Sequence, residues 1–339
     1  MTDSNRGQED RTRHFRSFST GLQPVCEATP ARLAIHGTLW AVEAAQIPYP
    51  VFPCVVRSFF MNVEKRRKFE SFIALLLSTC AAGFGLFWLV FILGDVLIHG
   101  IGALNPGLFM NDPTPAGVAG GGLRNAFTGQ LMITFFATLI GVPVGILGGT
   151  FLAEYARGTK TARIISVLSD IMVSVPSIVI GTFIYAIVVK PLGHFSGWAG
   201  AVALAVIMIP VVLRTTEDML SLVPWTLREA AFALGAPYYK VITQVVYRGA
   251  AAGIFTGVLL SIARVAGETA PLLFTSFNNS FFSTDMNRPI ASLTVSIFQY
   301  AMGPYEDWHT QAWAASFMIT VFILALTILG RLIIRWKYK

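Results

Sequence analysis

Long apolar stretches with few charged residues alternate along the chain with short segments rich in Lys and Arg. A helix that crosses the roughly 30 Å of hydrocarbon in a bilayer needs about 20 apolar residues, and several of these stretches reach that length. The pattern predicts six transmembrane helices, at about 71–97, 127–153, 166–189, 193–213, 249–274 and 310–332. The predicted fold class is therefore all-α: a polytopic membrane protein whose membrane domain covers residues 71–335.

The composition supports this prediction. Hydrophobic residues make up 54% of the 339 residues and charged residues 13%, whereas an ordinary soluble domain carries about 25% charged residues. So few charges exclude both a soluble domain of this size and a disordered chain. The net charge of +7 is better explained by basic loops at a membrane than by nucleic-acid binding. The three cysteines have no metal-ligand spacing, so neither a disulfide framework nor a zinc site is predicted.

The basic residues of the loops also predict the orientation of the spans. Fourteen Lys and Arg residues fall on one side of the membrane, against Arg124, Lys190 and Arg288 on the other. Cytoplasmic loops collect Lys and Arg. The segment 61–70 is therefore predicted to be a basic cytoplasmic anchor, the loop 214–248 to be cytoplasmic, and both termini to lie on that side.

Residues 1–60 do not fit the plan of spans and basic loops. They contain no Lys and no apolar run of membrane-spanning length, and their charges are too scattered for a signal peptide. We expect either a disordered cytoplasmic tail or a non-native extension, with Met61 as the true start. From Met61 the chain reads Met-Asn-Val-Glu-Lys-Arg-Arg-Lys and then enters the first span.

The loop 214–248 contains signals for two short helices joined by a sharp bend. Thr226 can cap a helix, and Glu229, three residues later, can complete a capping box. Gly235 can end that helix in the left-handed conformation, and Pro237 can start the next one. From this pattern alone, the loop could be a docking surface or an amphipathic segment at the membrane surface.

Glu229, Ala230, Ala231 and Gly235 resemble the EAA motif of ABC-importer permeases, in the loop before the penultimate span where that family has it. The family's closing Ile-x-Leu-Pro is absent here, where the chain reads Val245-Val-Tyr-Arg. The resemblance implies that this loop is a coupling helix that docks into a cleft on an ATPase subunit.

Further stretches are similar to the permease subunits of phosphate importers, the PstA type: Ile262–Phe274, Val212–Leu220, His194–Gly200 and Phe282–Met286. This resemblance implies a type I ABC importer in a bacterial inner membrane. Its parts would be this chain, a homologous second permease, two ATPase subunits and a periplasmic phosphate-binding protein. The chain has no Walker motif, so it is expected to be no enzyme and to bind no cofactor, and the partner ATPase would use the ATP.

Arg264 and Glu268 are charged residues inside the fifth predicted span. An ionised side chain there costs at least about 2.5–3.5 kcal/mol and normally faces protein or water. Four residues apart, the two are predicted to lie on one helix face, where Arg264 could bind a passing oxyanion and Glu268 could hold it in place. Alternatively, they form a buried ion pair that fixes the helix register. Arg214, at the inner end of the fourth span, is the second pathway candidate, or it is braced by Glu217 and Asp218.

Three functions remain in competition. The leading one is a phosphate permease of an ABC importer, and the nearest alternative is a permease for another oxyanion such as sulfate or molybdate. Residue chemistry does not separate these anions, and only the resemblance selects phosphate. An ion-coupled secondary carrier is the third, but a carrier has no use for an ATPase-docking loop at Glu229–Gly235.

Overall fold

The structure, a computed structural model, describes residues 53–115, 118 and 120–337. Every regular element among them is helical, as predicted. Five helical stretches are long and apolar enough to cross a membrane: Arg66–Gly102, Arg124–Tyr155, Gly197–Ser221, Tyr238–Ala266 and Glu306–Leu332. A bent pair, Lys160–Ser174 with Ser177–Leu192, makes up to six. The predicted number of spans is therefore reached only when the bent pair is counted as one.

The first helix, α1, covers Pro53–Gly102. It therefore begins before Met61, and residues 53–60 of the predicted extension are helical. The predicted tail over 1–52 lies outside the described residues, and the start at Met61 stays a prediction. No residue in the most apolar window of Arg66–Gly102 is buried within the chain.

The second span, α2 (Arg124–Thr150), packs along the fourth, α5 (Gly197–Ser221), in the most extensive helix contact of the described chain. Three glycines spaced four residues apart face α5. A Cβ at Gly145 would lie 2.7 Å from Cβ of Val212, and one at Gly149 would lie 2.5 Å from the Leu213 carbonyl oxygen. Gly141 packs in the same way against Met208. Small residues at these positions let the two backbones approach closely.

The third span is where the structure departs most from the prediction of one continuous helix at 166–189. Helix α3 (Lys160–Ser174) ends just before Val175, and the stretch Ser177–Leu192, which begins with α4 (Ser177–Ile184), leaves at an angle of 101°. Pro176 causes the break: it cannot donate a backbone hydrogen bond, and it pushes the preceding residue out of the helical region. Val175 accordingly has ψ 131°. A π-helical segment and a short turn, Tyr185–Val189 and Lys190–Leu192, follow α4.

The fourth and fifth spans also differ from the predicted ranges 193–213 and 249–274. The fourth, α5, continues to Ser221. Because the fourth span continues to Ser221 and the fifth begins at Tyr238, the loop between them is much shorter than the predicted 214–248. The elements of this region are α6 (Trp225–Ala233), the helical turn Tyr238–Lys240, the π-helical segment Val241–Val246, α7 (Tyr247–Ala266) and α8 (Ala270–Thr275). The fifth span therefore ends at Ala266, and residues 270–275 form a separate short helix.

Short helices cover the predicted outer side. They are Gly107–Met110 and α9 (Leu293–Ala301), which Ser292 caps by accepting from the Val295 amide. Helix α9 packs against the last helix, α10 (Glu306–Lys337). Buried apolar side chains from both helices meet there, including Leu293, Ala314 and Ala315.

Candidate coupling loop and transport pathway

The motif residues of the EAA loop lie on α6, but the helix starts differently from the predicted capping box. Its N-cap is Pro224, and no side chain caps it. Thr226 is the second helical residue, so the prediction that it caps the helix, with Glu229 closing a capping box, is wrong. A proline with φ −58° already has the backbone angle needed to lead into a helix. Glu229 is exposed and therefore free for contacts outside the chain.

The bend after this helix has the predicted conformation. Gly235 has φ +79°, in the left-handed region, and its amide donates to the Phe232 carbonyl oxygen at 2.8 Å. The Ala236 amide then donates to the Ala231 carbonyl oxygen at 3.2 Å. A Cβ at Gly235 would meet no atom within 4 Å. Glycine is therefore required by the backbone conformation and not by crowding.

The outward face of the loop combines one charged residue with small and apolar ones. Glu229 and Ala230 are exposed, Ala231 is half-buried, and Leu234 at the bend is 89% exposed. Leu234 is one of several large apolar side chains that are exposed along this helix and its bend, together with Trp225 and Leu227.

Sequence reasoning missed the residue that anchors this loop. Arg228, immediately before the motif glutamate, is buried at 2% side-chain exposure, and its Nη2 lies 2.5 Å from Oε1 of Glu154, which is 1% exposed. Glu154 lies in the π-helical segment Phe151–Tyr155 at the end of the second span. The two residues are separated by 74 positions, and no local pattern connects them.

Arg264 and Glu268 come together, but not on one continuous helix. Helix α7 ends at Ala266, and the amides of Gly267 and Glu268 close a turn on the carbonyls of Arg264 and Val265. Nε of Arg264 lies 3.9 Å from Oε1 of Glu268, with side-chain exposures of 51% and 19%. The predicted shared helix face is therefore wrong for Glu268, although the proximity holds. Pro271 stands at the second position of α8, where its missing amide needs no partner.

Polar groups from other elements hold this interruption of the fifth span. Nε2 of the buried Gln130 donates to the Ala266 carbonyl oxygen at 3.0 Å. The Thr294 hydroxyl donates to the Glu268 carbonyl oxygen at 3.1 Å. Carbonyls freed by the helix break are thus hydrogen-bonded from the second span and from α9, as a non-helical backbone at membrane depth requires.

Arg214 lies at the inner end of the fourth span among acidic side chains. Its Nη1 is 3.2 Å from Oε2 of Glu217 and its Nε is 3.7 Å from Oδ1 of Asp218. The Ser166 hydroxyl on α3 donates to Glu217 at 3.4 Å. The carboxylates paired with Arg214 belong to its own span, whereas the one near Arg264 lies in the turn after the fifth span.

A polar cavity of about 400 Å³ lies on the predicted outer side, between the start of the second span and α9. Its described lining is uncharged and includes Asn125, Ser296 and Tyr300. Oδ1 of Asn125 is buried without a hydrogen-bond partner. Burial raises the pKa of the Tyr300 phenol, so its hydroxyl stays a neutral donor. The cavity can hold water or a polar group and carries no charge of its own.

The chain is similar to known transport proteins in sequence and in structure. The family of binding-protein-dependent transport system inner membrane components matches residues 141–337. The phosphate transport system permease PstA of Yersinia pestis is 49% identical over 281 residues, which cover 81% of this chain and 95% of that protein. The PstA proteins of Pasteurella multocida and Haemophilus influenzae are 52% and 51% identical, over 97% and 96% of their lengths.

A solved structure of the inward-facing MetNI methionine ABC transporter contains a chain that superposes with a TM-score of 0.53, at 20% identity, covering 63% of this chain and 94% of that one. This likeness shows a shared fold. Together with the family match over residues 141–337, it confirms the predicted permease fold. Given also relatives that are about half identical over nearly their whole length, this chain belongs to the binding-protein-dependent transport system inner membrane components and, among them, to the PstA phosphate transport permeases.

Proposed function

We propose that this chain is the transmembrane permease subunit of an ATP-driven importer that moves inorganic phosphate across the bacterial inner membrane. The observation that carries the proposal is the identity of about one half to phosphate transport permeases over at least 95% of their length. As a permease component, the chain needs no cofactor, and an ATPase partner supplies the hydrolysis.

The partners follow from surfaces that the chain leaves uncovered. The coupling helix α6 and the exposed Leu234 suit a cleft on an ATPase subunit. Arg264 is half exposed within a span, and a guanidinium does not face lipid at that depth. A homologous second permease is the partner that would cover it, so the assembly has two permeases, two ATPases and a periplasmic phosphate-binding protein. The excess of basic residues on one side supports cytoplasmic termini.

In this proposal, the pathway runs past Arg264 at the interface between the two permeases. Its planar guanidinium can donate two parallel hydrogen bonds to phosphate oxygens. A separation of 3.9 Å from Glu268 is too long for a hydrogen bond, so the guanidinium keeps donors for an anion. The nearby carboxylate lowers the local positive potential, which allows the anion to leave.

The geometry fits a register-fixing ion pair less well. Such a pair needs short, well-aligned contacts to offset the cost of burying two charges. Here the contact is long and one partner is half exposed. Arg214, held between Glu217 and Asp218, is the second pathway residue, at the inner end of the fourth span.

The test is uptake into vesicles that contain the reconstituted importer with its ATPase and binding protein. When ATP is supplied on the side of the membrane that carries the ATPase subunits, radiolabelled phosphate should accumulate on that side. Excess sulfate or molybdate should not reduce this uptake. Equal uptake of labelled sulfate would overturn the choice of anion. Uptake driven by an ion gradient without ATP would overturn the importer class and favour a secondary carrier.

A further inference from the structure

The Arg228 guanidinium is hydrogen-bonded on every side within the protein. Its Nε and Nη2 donate to the two carboxylate oxygens of Glu154, at 3.3 and 2.5 Å. Its Nη1 donates to the Val223 carbonyl oxygen at 2.6 Å, and Nη2 also donates to the Leu220 carbonyl oxygen at 3.0 Å. The indole of Trp225 lies 5.3 Å away from the guanidinium. Charge-assisted bonds in this forked geometry are strong and strongly directional.

These bonds connect the coupling helix to the second and fourth spans, and Tyr238 adds contacts from the fifth. Glu154 belongs to the π-helical segment Phe151–Tyr155 that ends the second span, and the two carbonyls belong to the end of the fourth span and the turn after it. The Tyr238 hydroxyl, at the start of the fifth span, donates to the Glu154 backbone carbonyl at 2.8 Å. The ring of Tyr238 also stacks on Phe232 of the coupling helix, with 5.9 Å between centroids.

The position of the pair on the coupling helix suits the transmission of movement. Glu229, next to Arg228 in sequence, faces outward with Ala230, so the helix carries its docking face on one side and its anchor on the other. Beyond Glu154, the second span packs against the fourth through Gly149 and Gly145. A displacement of the docking face is therefore transmitted through Arg228 and Glu154 to the packed second and fourth spans.

Stability alone does not explain an ion pair at this place. A buried pair is often no more stabilising than well-packed apolar side chains of the same volume. Apolar contacts are not directional, so they do not fix the rotation of a nine-residue helix relative to its neighbours. The π-helical segment is a further sign, since such insertions cluster at functional positions.

We propose that Arg228 and Glu154 are positioning residues for transport. They make the coupling helix move as one body with the inner ends of the second and fourth spans, so that closure of the ATPase subunits is converted into rearrangement of the pathway. The inference rests on the proposed importer function, and it assigns to this pair a role that the exposed motif residues do not have.

The experiment measures ATP hydrolysis and phosphate uptake in the same vesicles of the reconstituted importer. Glu154→Gln keeps the shape of the side chain and removes its charge. Arg228→Lys keeps the charge but does not reach both carboxylate oxygens and both carbonyls. For each variant we expect about a tenfold fall in phosphate moved per ATP hydrolysed, with the complex assembled. The matched control is Glu306→Gln, an exposed glutamate on the predicted outer side, which should keep the wild-type ratio.

The double variant Arg228→Met with Glu154→Leu separates positioning from stability. It removes both buried charges, so assembly should recover even if a single variant assembles poorly, while the ratio stays low. A wild-type ratio in the double variant, or in an assembled Glu154→Gln importer, would overturn the proposal. If wild-type vesicles take up sulfate instead of phosphate, the phosphate assignment is overturned. The test of the pair then uses labelled sulfate moved per ATP hydrolysed, with the same expected fall.

Discussion

Nε of Arg264 lies 3.9 Å from Oε1 of Glu268, across the turn at which the fifth span leaves its helix. The distance is beyond a hydrogen bond, and half of the arginine side chain is exposed. The guanidinium is therefore held near a carboxylate while its donors stay accessible, as an anion pathway requires.

Arg264→Gln should abolish phosphate uptake, by at least about a hundredfold, because the amide keeps the length but loses the charge and the forked donors. Arg264→Lys should restore only part of it, since an ammonium lacks the planar fork. Vesicle uptake, with subunit abundance measured beside it, checks both variants. Arg288→Gln, at an exposed outer arginine, is the control. Normal uptake in a well-expressed Arg264→Gln protein would remove this residue from the pathway.

Exchanging the two charges tests the structural alternative. If Arg264 and Glu268 only fix the helix, each single substitution should lower the free energy of unfolding by roughly 3–5 kcal/mol and so reduce the amount of folded subunit. The swap Arg264→Glu with Glu268→Arg should then recover folding and uptake. We expect instead that the swapped subunit is as abundant as the wild type and does not transport. Recovery of uptake in the swap would contradict the pathway role.

Gly235→Val should impair assembly with the ATPase or uncouple hydrolysis, because a β-branched residue resists φ +79°. Gly235→Asn is the matched control: asparagine tolerates this conformation, and an added Cβ would meet no atom within 4 Å. Co-purification of the ATPase and uptake per ATP are the measurements. Equal behaviour of the two variants would mean that the bend does not depend on the left-handed residue.

Gly145→Ala should destabilise the subunit by about 1–3 kcal/mol, because the new methyl group would lie 2.7 Å from Cβ of Val212. Gly85→Ala, in the first span with no atom within 4 Å of the added Cβ, should be neutral or stabilising by up to about 1 kcal/mol. The denaturation midpoint of the purified subunit compares them. Similar midpoints would contradict the close packing of the second and fourth spans.

The prediction that translation starts at Met61 has its own test. N-terminal sequencing of the native subunit should begin at that residue, and deletion of residues 1–60 should leave uptake unchanged. Recovery of a native chain that retains Cys26 or Cys54 would contradict the prediction, and loss of uptake on deletion would give the extension a function.

The sequence predicted those features that depend on a few consecutive residues better than those that depend on distant ones. Gly235 could be predicted because a left-handed residue after a helix is a property of a few consecutive residues. The bend at Val175–Pro176 was also local, but the length of the apolar run concealed it, since hydropathy averages over a window and does not register a single missing amide. The end of the fifth span at Ala266 was concealed in the same way, and with it the position of Glu268 beside Arg264 instead of one turn along a common helix.

The sequence by itself determined the helical class, the positions of the first, second and sixth spans within a few residues, and the bend at Gly235, because burial in lipid and turn chemistry act on neighbouring residues. The orientation of the spans stays a prediction. Only the tertiary structure decided that Arg228 bonds Glu154, 74 positions away. That contact depends on how the second and fourth spans are rotated and how closely they approach, which the glycines at 141, 145 and 149 set. Charges far apart in the chain meet only after such packing is fixed, so no pattern along the sequence reports them.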